Sequence, residues 1–214
     1  MQRCLLTLCL LVPAATSCQS AYYSIWETVG VHKRDILVDR VEEGRDAQEE
    51  AKKEFVSAME TFKQVTGFKG GDLEKVYSKI QGEYDDCAAR VDEVHTRIGS
   101  IEKVAGDLFE EWKAEMKEYS DASLRRRSEE AMDRTRDRYK EMIGAMKRAE
   151  SKMQPVLAAL KDRALFLKHN LNAQAIASLS ENLGEVEKDV SALVAEMERS
   201  IDEANQFIAA MKES

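Results

Sequence analysis

Between Leu73 and Tyr119 the apolar positions recur in alternating steps of three and four: Leu73, Tyr77, Ile80, Tyr84, Cys87, Val91, Val94, Ile98, Ile101, Ala105, Leu108, Trp112 and Tyr119. Glu115 is the one charge in the stripe. A period of 3.5 kept over about six heptads predicts a single helix of roughly 70 Å, packed knobs-into-holes against partners equally long.

The flanking segments supply such partners. Ile36, Val41, Ala47, Ala51, Phe55, Met59, Phe62 and Val65 keep helical spacing, and Gly67, Gly70 and Gly71 then end that helix, with Asp72 placed to cap the next. Ser120-Asp121-Ala122-Ser123 stops the long helix, because these side chains compete for backbone hydrogen bonds. A third stripe follows through Leu124, Tyr139, Met142, Met146, Met153, Val156, Leu160 and Leu167, with Pro155 expected to kink it near Ser151 without breaking it. A fourth runs through Ile176, Leu179, Leu183, Val186, Val190, Leu193, Met197, Ile201, Ala204 and Ile208. The helices are expected at about 22–66, 72–120, 123–169 and 174–212, with the third turn at 169–173 or, alternatively, at 180–184. Connections this short force antiparallel neighbours, so the expected fold is all-α: an elongated up-down-up-down four-helix bundle with coiled-coil packing, forming one domain over 18–214. Folding about residues 69 and 122 would set Ala51 opposite Cys87, Trp26 opposite Trp112, and Ala105 opposite Tyr139 with Phe207 in the same layer.

Composition agrees with that class. Charged residues make up 34% of the 214 and aromatics 7%, with two prolines and ten glycines, which favours helices over sheet or disorder. The net charge of −8 disfavours a nucleic-acid partner, whose phosphates would be repelled. Beyond the N-terminus no run of about 18 apolar residues exists that could span a bilayer.

Residues 1–17 read as a signal peptide: Met1, Gln2 and Arg3, an apolar run from Cys4 to Val12, then small residues. Ala15-Thr16-Ser17-Cys18 resembles the lipobox of bacterial lipoproteins, making Cys18 the expected lipidation site, while Ala15 and Ser17 also satisfy the ordinary signal peptidase. Gln19 beside the cysteine resembles lipoproteins sorted to the outer membrane, and a soluble periplasmic protein is the alternative. With Cys4 and Cys9 in the leader, Cys87 is left alone on a core position as a small buried hydrophobe.

Candidate chemistry is sparse. His32, His95 and His169 fall in different segments without metal-ligand spacing, and Asp92-x-x-His95 occurs once, off the stripe, where di-iron bundles need two such pairs plus further inward glutamates. No glycine-rich phosphate loop or serine nucleophile motif is present. No catalytic residue, metal, cofactor or small-molecule substrate is therefore expected, and the chain is read as a non-enzyme. Arg125, Arg126 and Arg127 form a basic cluster that, with Trp26, is a candidate membrane-proximal contact; a solvated helix surface is the other reading.

The stretches SAYYS from Ser20, VGVHKRDILVDRVE from Val29, AESKMQPVLAAL from Ala149 and LFLKHNLNAQAIASL from Leu165 resemble the bacterial lipoprotein family of domain of unknown function 2959. That resemblance implies a helical envelope protein of Gram-negative bacteria and no assigned reaction. Two functions remain open: a lipid-anchored structural or adaptor rod with a protein partner, or a module that binds lipid or a membrane surface.

Overall fold

The computed structural model describes residues 32–66, 72–170, 172, 174, 176, 178, 179 and 183–213. Four long helices account for nearly all of them: α1 Lys33–Thr66, α2 Leu73–Glu115, α3 Ala122–His169 and α4 Leu183–Glu213. Local chemistry sets their ends. The Asp72 carboxylate accepts the backbone N–H of Glu74 and Lys75 at 3.1 and 3.3 Å, and Asp121 does the same for Ser123 and Leu124 at 2.7 and 3.3 Å. α3 runs unbroken through Pro155 and closes where the Asn170 side-chain amide donates to the Phe166 carbonyl.

Each helix packs on its neighbours in chain order, and α4 closes the ring against α1. Pairs along the seams show the antiparallel sense. On the α1–α4 seam Lys63 pairs with Glu187 near one end and Lys212 with Glu42 near the other. On the α2–α3 seam Trp112 donates to Ser128, and Lys147 pairs with Glu102. The chain is thus an up-down-up-down four-helix bundle, with Phe55, Phe62, Ile101, Met142, Met146, Leu193 and Met197 fully buried along its axis.

Several expectations shift. α2 stops at Glu115 rather than near 120, and Tyr119 lies beyond it, exposed; Leu124, in the first turn of α3, is exposed too. Both flank the turn that joins α2 to α3. α4 is regular from Leu183, although Gln174, Ile176, Ser178 and Leu179 are already helical; α3 ends at His169 as the spacing predicts, and 180–182 lie outside the described residues. The part of the first helix expected at 22–31 lies outside them as well. Folding about residue 69 would set Glu43 and Thr61 opposite positions 95 and 77, whereas Glu43 pairs with Arg97 and Thr61 donates to Glu83. The contacts between α1 and α2 are therefore displaced along the axes from that register, by about 3 Å at the first pair and about 9 Å at the second. Tyr139 packs edge-on against Phe109, ring centroids 5.7 Å apart, one turn beyond Ala105.

The largest departure is in the core. Its α1 line runs Val41, Gly44, Gln48, Ala51 and Phe55, all buried, and its α4 line includes Ser200, while Ile201 is only half-buried. A Cβ at Gly44 would lie 2.7 Å from Ile101 Cδ1 and 3.5 Å from Met146 Cε, so the missing side chain lets three helices converge. One turn on, Gln48 Nε2 donates to the Met146 carbonyl at 3.3 Å, and the Ser200 hydroxyl donates to Gln48 Oε1 at 2.6 Å. Gln48 and Ser200 have no solvent exposure.

Because a buried acceptor stripped of its donor keeps its desolvation cost, Ser200→Ala should lower unfolding stability by about 1–3 kcal/mol. Adding Gln48→Leu should recover most of that loss, since the Met146 carbonyl sits within a helix that already supplies it a backbone partner. Urea denaturation of both variants checks this; a double variant no more stable than Ser200→Ala alone would contradict it.

Candidate functional site

The topology gathers the start of α1, the end of α2, the start of α3 and the end of α4 at one end of the bundle. Lys33 pairs with Glu111 at 2.6 Å, and the Arg34 guanidinium donates to the Met211 carbonyl, tying α1 to both neighbours there. The half-buried Trp112 donates its indole N–H to the Ser128 hydroxyl at 2.8 Å, clasping the α2–α3 turn. Asp121, held below the usual carboxylate range by hydrogen bonds from the Ser123 hydroxyl and the Ser123 and Leu124 amides, completes that turn.

Arg125, Arg126 and Arg127 follow directly, all exposed, beside Tyr119 at 42% and Leu124 at 49% exposure. The structure therefore brings the three arginines together with two exposed apolar side chains that periodicity had assigned to the core. Cys18, Trp26 and the leader at 1–17 lie outside the described residues. Glu115 is exposed, as its place near the bundle end predicts. Two clefts of 490 and 530 Å³ flank the start of α1, sharing His32 and Arg34; Trp112 and Leu108 line the first, Val38 and Met211 the second.

Elsewhere the titratable groups serve packing. The backbone carbonyl of His32 accepts the amides of Asp35 and Ile36 in the first turn of α1, His95 Nδ1 lies 2.6 Å from Glu150 Oε1, and His169 ends α3. Among the described residues no group of three His, Cys, Asp or Glu side chains is placed to hold a metal ion. Glu196, nearly buried on α4, meets Arg148, Lys152 and Arg199. Burial pushes its carboxyl up, but hydrogen bonding and charge from Lys152, Arg199 and Arg148 outweigh that and hold it below the usual range.

On the α1–α2 seam, Thr61 donates to Glu83 Oε1 at 2.7 Å while Glu83 Oε2 is buried without a partner. Burial and the neighbouring charges of Asp86 and Glu83 push the Glu54 carboxyl up. Periodicity gave no hint of this acidic group, because Glu83 sits one step beside the stripe.

A family model described as "Protein of unknown function (DUF2959)" matches residues 22–211. No curated protein and no solved structure matches the chain.

Cys87 is free, buried and pushed up to about 12 by burial first and then by the charges of Glu54, Glu83 and Asp86. In a chain with Cys4, Cys9 and Cys18 replaced by Ser, a disulfide reagent at pH 8 should react with it only slowly until urea unfolds the bundle. A raised folded value also means that the proton stabilises the fold below the unfolded thiol's value, and that this contribution is lost as pH climbs from about 9 towards 12. Equal reaction rates with and without urea would contradict the burial.

Proposed function

The chain belongs to the DUF2959 family, and we propose that it is a lipid-anchored structural or adaptor protein of the bacterial envelope, held at the periplasmic face of the outer membrane through Cys18. The observation that carries the choice of adaptor is the closed core. The apolar lines of all four helices are spent on one another, leaving outward faces built of charged pairs such as Arg40 with Glu43 and Lys53 with Glu50. A module that opened to bind acyl chains would have to separate Gln48 from Ser200 and expose the methionine-rich interior, so a rod that presents its charged faces or its ends to a protein partner is favoured.

The leader and the lipobox-like Ala15-Thr16-Ser17-Cys18 support the anchor. Two or more acyl chains make anchoring stable, at about 0.8 kcal/mol per buried methylene. From Cys18 to His32 the chain reaches at most about 50 Å, at about 3.3–3.6 Å per residue, so the end at which α1 begins would be the one nearer the bilayer. In this reading the protein is not an enzyme and takes no cofactor.

Cys18→Ser should abolish incorporation of labelled palmitate and move the protein from the outer-membrane fraction into the soluble periplasm. A Ser variant that still fractionates with the outer membrane would sink the anchor. Crosslinking in intact envelopes, followed by pull-down of the lipidated chain, should recover a discrete protein partner if the adaptor role is right.

A further inference from the structure

The turn between α2 and α3 combines features that packing does not explain. Tyr119 and Leu124 are two of the few large apolar side chains left exposed among the described residues, and they flank the same turn. Arg125, Arg126 and Arg127 follow Leu124 without interruption, all exposed, and none forms an ion pair with a described residue. Successive helical residues are rotated by about 100°, so the three guanidiniums fan around the tip and cannot all face one neighbouring helix.

The tip is also braced. Asp121 bonds the amides of Ser123 and Leu124, the Arg125 amide donates to the Asp121 carbonyl at 3.0 Å, and Trp112 holds Ser128.

We infer that this tip is a membrane-surface contact that fits a bilayer containing anionic phospholipid, with Leu124 and Tyr119 at the headgroup boundary and Arg125, Arg126 and Arg127 against lipid phosphates. The inference rests on the reading that this end of the bundle faces a membrane, and it names the chemistry of that contact. Charge argues for end-on docking. A chain of net charge −8 is repelled by an anionic surface along its sides; at the tip, where Glu118 and Asp121 are exposed too, three consecutive cations stand beside apolar groups that gain by leaving water.

Arg125 ends the first turn of α3, which holds no acidic residue, and Arg126 and Arg127 open the second, near the end where cations oppose the helix dipole. Their removal should leave the fold intact or slightly more stable, so that a loss of binding is not a loss of folding.

The test uses the chain bearing Cys18→Ser, free of lipid, with vesicles of phosphatidylethanolamine and phosphatidylglycerol or of phosphatidylcholine alone, at low ionic strength. Binding to the anionic vesicles and much weaker binding to the neutral ones is expected. Each arginine near an anionic surface strengthens binding about fivefold, so replacing all three with Gln should weaken it on the order of a hundredfold, with the thermal midpoint unchanged or raised. Leu124→Ser should weaken it about tenfold. Equal binding by the Gln variant, equal binding to both kinds of vesicle, or no binding to either would overturn the inference. None of these outcomes depends on acylation, so the fate of the anchor in Cys18→Ser cells is decided separately.

Discussion

The contact on which the bundle most depends is small and polar. Gln48 of α1 spans the interior, giving its amide N–H to a carbonyl of α3 and accepting the hydroxyl of Ser200 on α4. Apolar side chains along a heptad stripe pack nearly as well after a one-heptad slide, but a buried amide does not, because a slide would strand its donor and acceptor away from water. Gly44, one turn away, works in the same direction: its bare backbone admits Ile101 and Met146, and no other glycine among the described residues meets a neighbouring core side chain so closely. Together they pin all four helices at one level.

Charged pairs repeat that alignment on the outside. Lys63 with Glu187, Lys212 with Glu42, Arg97 with Glu43 and Lys147 with Glu102 each cross a seam at a level that only the antiparallel register allows. Exposed pairs of this kind contribute at most about 1 kcal/mol each, so they select among registers more than they hold the fold. Glu196 differs because it is nearly buried. Three cations from α3 and α4 compensate its desolvation, and stripping them away would leave a charge the interior cannot tolerate.

The same antiparallel constraint gives the bundle two unlike ends. Chain order alone places the beginning of α1, the α2–α3 turn and the end of α4 together. With α2 ending at Glu115, the turn that follows leaves Tyr119 and Leu124 exposed. That turn is braced by Asp121 and Trp112, carries two exposed apolar side chains and leads straight into three arginines.

Periodicity by itself determined the helical class, four segments, their antiparallel order, the caps at Asp72 and around Asp121, and the continuity of α3 through Pro155. These follow from local chemistry and from the period of the apolar positions, both of which can be read one residue at a time. It misjudged the elements whose state depends on what faces them. Gln48, Gly44 and Ser200 read as gaps in a stripe, yet they are core because partners on other helices satisfy or accommodate them, whereas Ile201, Tyr119 and Leu124 read as core and are half-buried or exposed because the described helices leave them uncovered. The arginine cluster was legible as a run of charge; its alliance with two exposed apolar side chains was not. Only the tertiary structure decided these points, because the burial of a side chain is a property of the space between helices and not of the helix that carries it.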